Sequence, residues 1–389
     1  LQPRLRLKAL GPHVVAAVAP LAGGEPAFAS GTDPAVPAST MKLLTATAAL
    51  ETMGPEKVFT TSVVRSGSRR ITLVGGGDPY LASKPAPGSY PPRADVATLA
   101  RLTAERLSGE GVGKVRLAYD AGLFEGPALN PHWPASYVGD AVVSPISALW
   151  VDEGRDAGGF ARVGDPPARA AEVFAAALRR HGIKVSGTPR PASPAADAQA
   201  EPVVASVQSA PLAEIVAHVL DVSDNDAAEV LARHVGIASG GAGSIEGAQA
   251  GIATTLGALG VPLGGSALYD GSGLSRDDRL TSSALLTVLQ VAASADHPEL
   301  RPVISGLPVA GFTGSLQWRF GDAPMAARGL VRAKTGTLTG VHGLAGVATD
   351  RNGTDLAFVL IADNVAPEQA LAARAALERE AAALGACRC

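Results

Sequence analysis

Cysteine is nearly absent. Cys387 and Cys389, at the extreme C-terminus, are the only two in 389 residues. A cysteine-free body suits an oxidising compartment without proving one. The Cys-Arg-Cys tail can close a small strained disulfide, pair between chains or stay inert. It lacks the Cys-x-x-Cys context of a redox site, so an inert or structural tail is expected. Aromatic residues are also scarce at 4%, against 47% hydrophobic residues overall, so the core must be built from Ala, Val and Leu. There is no excess of positive charge: 33 basic against 36 acidic residues leave −3, which excludes an overall basic footprint for nucleic acid. No stretch reaches the roughly 18 uncharged apolar residues that a membrane-spanning helix needs.

Several catalytic signatures are missing as well. Without a Gly-x-Ser-x-Gly elbow an α/β-hydrolase is disfavoured, and without His-Glu-x-x-His so is the common zinc peptidase route. Gly113-Lys114 is followed by Val115, so it is not a phosphate-binding loop. The seven histidines are scattered, and only His342 lies near a chemistry-bearing motif. Neither a metal nor a cofactor is expected. The chain opens on Leu1 rather than Met, which suggests a trimmed N-terminus and a secretion signal absent from it.

Three short motifs stand out. Ser39-Thr40-Met41-Lys42 opens a helix expected over 39–53, with Met41, Leu44, Ala48 and Leu50 as its buried stripe. Ser223-Asp224-Asn225 lies between helices expected at 211–220 and 226–237. Lys334-Thr335-Gly336-Thr337 continues the alternating run from Gly329 to Ala333 and should lie on a strand. Two short strands are expected within 13–30, strand pattern within 57–81, helices at 94–108 and 168–181, and a long Pro- and Ala-rich loop over 187–202. Strands at 341–349 and 354–362 flank the turn Asp350-Arg351-Asn352-Gly353, and a last helix covers 367–384.

The motifs fit one chemistry. A serine hydroxyl is a weak nucleophile until a base takes its proton. Ser39 and Lys42, three apart on a helix, share a face. Lys42 can serve as that base if burial or a second cation, Lys334, keeps it neutral. At a helix start the Ser39 N–H is unpaired within the helix and can donate to an oxyanion. Thr337 N–H offers a second such donor. Ser223 can relay a proton to a leaving amine, and the Asn225 amide can hold substrate backbone. The Thr335 and Thr337 hydroxyls, with Gly336 between them, can bind a carboxylate beside Lys334. Each motif also has a plainer reading: Asp224 or Asn225 as a helix cap, Lys334 as a charge guarding an edge strand. Their order on helix, loop and strand favours the site.

At these residues the chain resembles penicillin-binding proteins, and more narrowly the D-alanyl-D-alanine carboxypeptidase/endopeptidases of the class C low-molecular-mass group, peptidase family S13. Gly76-Gly77-Asp78-Pro79-Tyr80-Leu81, Tyr119 to Phe124, Ala228-Glu229, Asp270 to Arg276 and Leu307 to Gly311 resemble further family segments, so the likeness covers about 30–365. It implies an α/β (α+β) fold: a transpeptidase-like domain with an antiparallel sheet flanked by helices, split by a mostly-β accessory insertion. The long gap between the first two motifs points the same way. The expected limits are 1–65 and 206–389 for the split domain and 66–205 for the insertion. The resemblance further implies hydrolysis of the terminal D-Ala–D-Ala bond of peptidoglycan stem peptides through an acyl-enzyme on Ser39, DD-endopeptidase activity on cross-links, inhibition by β-lactams and an extracytoplasmic location in periplasm or cell wall. The rivals are a β-lactamase and a non-catalytic β-lactam sensor or wall-binding module. Against the first, Glu125 to Asn130 is one residue longer than the Glu-x-x-Leu-Asn deacylation loop and precedes the wrong motif.

Overall fold

A computed structural model describes residues 4–192, 202–321 and 328–387. The chain divides into two units. The first joins Leu1–Pro55, Ala213–Gly241 and Ile245–Cys389; the second holds Glu56–Leu212 with Ala242–Ser244.

The first unit is built on a five-stranded antiparallel sheet. Its strands are β1 (Val14–Pro20), β2 (Phe28–Ser30), β9 (Val331–Leu338), β10 (Val341–Thr349) and β11 (Asp355–Ala362), in the order β2-β1-β11-β10-β9. The β10–β11 turn forms as its residues predict: Asp350 Oδ1 accepts from Asn352 N and Thr354 N, both at 2.8 Å. β11 lies between β1 and β10, and Phe358, Leu360 and Ala362 pack into the core with Leu377, Ala381 and Leu384 of α9 (Ala370–Ala386).

A helical layer accompanies this sheet. It contains α1 (Lys42–Met53), α4 (Leu212–Val222), α5 (Asn225–Ala238), α6 (Ile245–Ala258), α7 (Ser282–Ala293) and the short α8 (Arg301–Ser305). α1 differs from the expected amphipathic helix. Every residue from Lys42 to Leu50 is buried, because α5, α6 and α7 all pack against it. Its Ala, Thr and Leu content suits a helix enclosed on all sides. The chain enters it through a 3-10 turn, Ala38–Met41, so Ser39 precedes the α-helix proper. α6 and α7 carry no clear signal in the sequence. Glycines interrupt α6, yet one has a packing reason: a Cβ on Gly251 would come within 3.0 Å of Val235 O on α5.

The second unit holds a six-stranded sheet of β3 (Thr60–Gly67), β4 (Arg70–Val74), β5 (Lys114–Asp120), β6 (Lys184–Val185), β7 (Arg190–Pro191) and β8 (Val203–Gln208). β4, β5 and β6 run parallel, and β7 also pairs with β5. Two helices cover one face, α2 (Val96–Gly109) and α3 (Pro166–Arg180). Aspartates cap both: Asp95 accepts from Thr98 N at 2.7 Å and Asp165 from Ala168 N at 3.0 Å. The expected limits at 65 and 205 fall within β3 and β8, and these two strands pair with each other in this unit. Most of the loop expected over 187–202, and Cys389 of the tail, lie outside the described residues.

Phe358 is fully buried in the central strand. Phe358→Ala should lower the stability of the first unit by about 3–5 kcal/mol through transfer and cavity terms. Hydrogen exchange of β10 and β11 amides under increasing urea would measure it. A loss below about 1 kcal/mol would mean the site collapses to fill the void.

Candidate active site

The three motifs converge within the first unit. Lys42 Nζ, fully buried, lies 2.9 Å from Ser39 Oγ, 2.8 Å from Asn225 Oδ1 and 2.7 Å from the Ser272 carbonyl oxygen. Lys334 Nζ, also fully buried, donates to Ser223 Oγ at 2.7 Å and to the Thr335 carbonyl at 3.1 Å. Asp224 takes the capping role, accepting from Ala227 N at 3.0 Å, which leaves Asn225 in the first turn of α5 to reach Lys42. Ala38 and Ser223, one beside the nucleophile candidate and the other on the opposite wall, hold positive φ values of 46° and 64°. Non-glycine residues there cost of order 1–3 kcal/mol each, so surrounding contacts must enforce them.

Burial lowers the Lys42 pKa to about 8, against the pull of Asp270, Glu229, Asp224 and Asp226, which raise it. The lysine–lysine repulsion acts on both amines; the Lys334 pKa falls well below the usual range through burial first, then through Lys42 and Arg319, with Asp221 opposing.

The three contacts accommodate an ammonium, which donates to all three oxygens, and also a neutral Lys42. A neutral amine has two N–H donors and one lone pair. Asn225 Oδ1 and Ser272 O can only accept, so they take both donors and leave the lone pair for the Ser39 hydroxyl proton.

No local motif marks the layer beneath Lys42. Ser272 belongs to a loop held by two buried carboxyls. Glu229 Oε1 accepts from Gly271 N at 3.0 Å and Ser272 N at 2.7 Å; Asp270 accepts from Gly273 N at 2.6 Å and Ser275 N at 2.7 Å. Burial, then Asp270, push the Glu229 pKa up to about 8. Burial and Asp270 also raise that of Asp278, which accepts from Tyr269 N at 2.7 Å. The only hint was that Glu229 and the 270–276 segment carried the family likeness. Ser315 is another addition, accepting from Thr335 Oγ1 at 3.2 Å.

β9 is the last strand of its sheet, and half of its outer edge is taken. Ala310 N donates to Val331 O at 2.9 Å and Ala333 N to Pro308 O at 3.1 Å. Backbone groups alternate in direction along a strand, so Thr335 and Thr337 present their amides to the same side, beyond where that pairing stops. Thr337 is exposed while Gly336 is buried. A Cβ on Gly336 would meet Pro37 O at 2.7 Å and Thr40 Cγ2 at 3.2 Å, so glycine lets β9 lie against the Ser39 turn. Within that turn, Thr40 N bonds Pro37 O and Lys42 N bonds the Ser39 and Thr40 carbonyls; Ser39 N donates to none of these. His342 sits across from Thr337 with its ring buried, and neither ring nitrogen has a hydrogen-bond partner among the described residues. Burial lowers its pKa, in keeping with a neutral ring. Among the described residues, Glu51, His297 and Glu299 bring candidate metal-ligand atoms within 4.8 Å of one another, but none of them contacts the lysines or serines of the site.

The D-Ala-D-Ala carboxypeptidase 3 (S13) family matches residues 3–158 and 156–384. The chain belongs to this family. It is 36% identical over 342 residues to a carboxypeptidase of Mycobacterium tuberculosis, covering 86% of this chain and 72% of that one. It is also 36% identical over 363 residues to the carboxypeptidase DacB of Mycolicibacterium smegmatis, covering 92% and 76%. The crystal structure of penicillin-binding protein 4 from Haemophilus influenzae superposes with a TM-score of 0.80 at 20% identity, covering 97% of each chain, which shows the penicillin-binding protein fold. Membership in a family that acts on peptidoglycan places the action at the cell wall or in the periplasm. No described helix is long and apolar enough to cross a membrane.

Gly336→Ala tests the contact between β9 and the turn. Displacing the strand by about 1 Å should slow reaction at Ser39 about 100-fold, read as the acylation rate with benzylpenicillin. An unchanged rate would show that the turn yields to the added methyl.

Proposed function

We propose that this D-Ala-D-Ala carboxypeptidase works through an acyl-enzyme on Ser39, with Lys42 as general base. The observation that carries the reading is the Lys42 amine, buried and 2.9 Å from Ser39 Oγ, with its other two contacts on carbonyl oxygens. The Lys42 lone pair takes the Ser39 hydroxyl proton as Oγ attacks the carbonyl carbon of the penultimate D-Ala. The Ser39 and Thr337 N–H groups receive the oxyanion. When the intermediate collapses, the C–N bond breaks and the proton held by Lys42 passes to the departing amine through the Ser223 hydroxyl, which Lys334 orients, leaving Lys42 neutral again. D-Alanine leaves, and water activated by Lys42 hydrolyses the ester.

The stem peptide pairs along the open part of β9, as an added strand would. Its terminal carboxylate lies against the hydroxyls of Thr335 and Thr337 and near Lys334. A carboxylate there favours protonation of Lys334, so substrate binding restores the charge that burial suppresses. The same bond chemistry extends to D-Ala-ended peptide cross-links, which gives DD-endopeptidase activity. β-Lactams react as acyl donors at Ser39. We further infer that the protein is exported by an N-terminal signal.

Incubation with benzylpenicillin, followed by intact mass and peptide mapping, should give a stable adduct on Ser39 and none in Ser39→Ala. Consumed drug with unmodified protein would instead make the protein a β-lactamase. Lys42→Ala should slow acylation about 10²–10⁴-fold, the usual loss on removing a general base. In the wild type, the neutral fraction of Lys42 rises with pH up to its pKa of about 8. The acylation rate should therefore climb about tenfold per pH unit below that point and level off above it. A profile flat between about pH 6 and 9 would remove Lys42 as the base.

A further inference from the structure

The second unit carries a feature unrelated to the serine site. One face of its sheet packs Ile71, Leu73, Val115, Leu117 and Tyr119 against α2 and α3. The opposite face of β4–β7 is cationic apart from Asp120 at the end of β5. Arg70 is in register with Arg116, Lys114 with Lys184, and Ala118 with Arg190, so alternation sends all five charged side chains to the face away from the helices. All five are exposed, as is Arg69 in the turn before β4. Two adjoining hollows of about 540 and 450 Å³ run over this face and share Arg70, Arg116 and Ser186. Their linings include no acidic residue and no aromatic one. Among the described residues, none of the six cations forms an ion pair.

This arrangement is unfavourable in isolation. Like charges directly across from each other destabilise a sheet. Neighbouring strands are about 4.8 Å apart, and alternate residues on one strand about 6.6 Å apart. The chain as a whole is slightly acidic, at −3, so the cluster is a local segregation of charge. A bound polyanion would remove the repulsion and release its own counterions.

We propose that this face binds a linear polymer bearing phosphodiester groups, of the kind that runs through a cell wall. Four of the six cations are arginines, whose planar forks match phosphate in a bidentate way. Ser186 and Thr188 add hydroxyl donors along the groove. A membrane surface fits less well, because none of the large exposed hydrophobic side chains lines the hollows. Nucleic acid fits less well, because the groove offers no ring on which a base could stack. Binding there would tether the enzyme beside its substrate without using a residue of the serine site.

The test measures binding of poly(glycerol phosphate) to the full chain across a salt series. Arg70→Glu/Arg116→Glu should weaken binding at least about tenfold and reduce the slope of log affinity against log salt by about 2. Arg70→Lys/Arg116→Lys should retain the salt slope but lose part of the affinity. Circular dichroism and thermal melting confirm that the unit stays folded, and the benzylpenicillin acylation rate should match wild type in both variants. Wild-type affinity in the folded charge-reversal variant would overturn the proposal. So would equal binding of polyglutamate, which would make the groove a carboxylate site, or preferential binding of anionic lipid vesicles, which would make it a membrane contact. Should the charge-reversal pair fail to fold, Arg116→Gln alone supplies the same comparison, with unchanged affinity and salt slope again counting against the proposal. Failure of Ser39 acylation in the wild type would bear on the catalytic reading alone.

Discussion

A lysine amine removed entirely from water, with hydrogen-bond partners from three separate stretches of chain, is the constraint around which the catalytic unit is organised. Lys42 touches Ser39 one helical turn before it, Asn225 at the start of α5 and the Ser272 carbonyl in the 270–275 loop. Burial disfavours its ammonium form, and that cost holds only while the surrounding groups stay packed. α1 is therefore sealed on all sides, and the loop that supplies Ser272 is itself pinned by Glu229 and Asp270. The carboxyls beneath Lys42 oppose the effect of burial. The resulting pKa of about 8 reflects that balance, close to neutrality and useful for a base.

Lys334 belongs to the same electrostatic problem. A second fully buried cation beside the first would be expensive if both carried a charge, and its proton affinity falls accordingly. The strand that carries it must also lie close to the Ser39 turn, and the missing side chain at Gly336 makes that approach possible. Strand, turn and helix start are thus held together by one absent methyl group and one buried amine. The pairing of 308–310 with the first half of β9 then leaves only its distal edge for an extended ligand.

The second unit follows a different logic. Its sheet is covered on one face by two capped helices; the opposite face is buried at Val64 and Thr72 but exposed at the charged positions of β4–β7. Charges of one sign gather there across neighbouring strands, where folding alone would disfavour them. Stability accounts for the covered face and leaves the cationic one for binding.

Much of this was readable from residue order. Ser39-x-x-Lys42, Ser223-x-Asn225 and Lys334-Thr335-Gly336 are short local patterns whose spacing fixes which face or strand each residue occupies. The apolar runs of β10 and β11 and the turn at Asp350 are equally local, and so were legible. Helices α6 and α7 were not, because glycines weaken α6 and serine, threonine and valine dilute α7, so their helical state leans on packing against α5 and α1. The cationic face escaped notice because its members are scattered from 69 to 190 in a chain of balanced charge, and only strand register brings them together. The three-way contact of Lys42 also depended on the fold. Sequence could pair Ser39 with Lys42 through helix geometry, but the Ser272 carbonyl and the carboxyls holding it join the site through long-range packing. Sequence by itself thus picked out residues that the fold brings together, since each motif is a local pattern. Tertiary structure decided the lowered proton affinity of the two lysines, since burial and the distances between distant segments exist only in the folded chain.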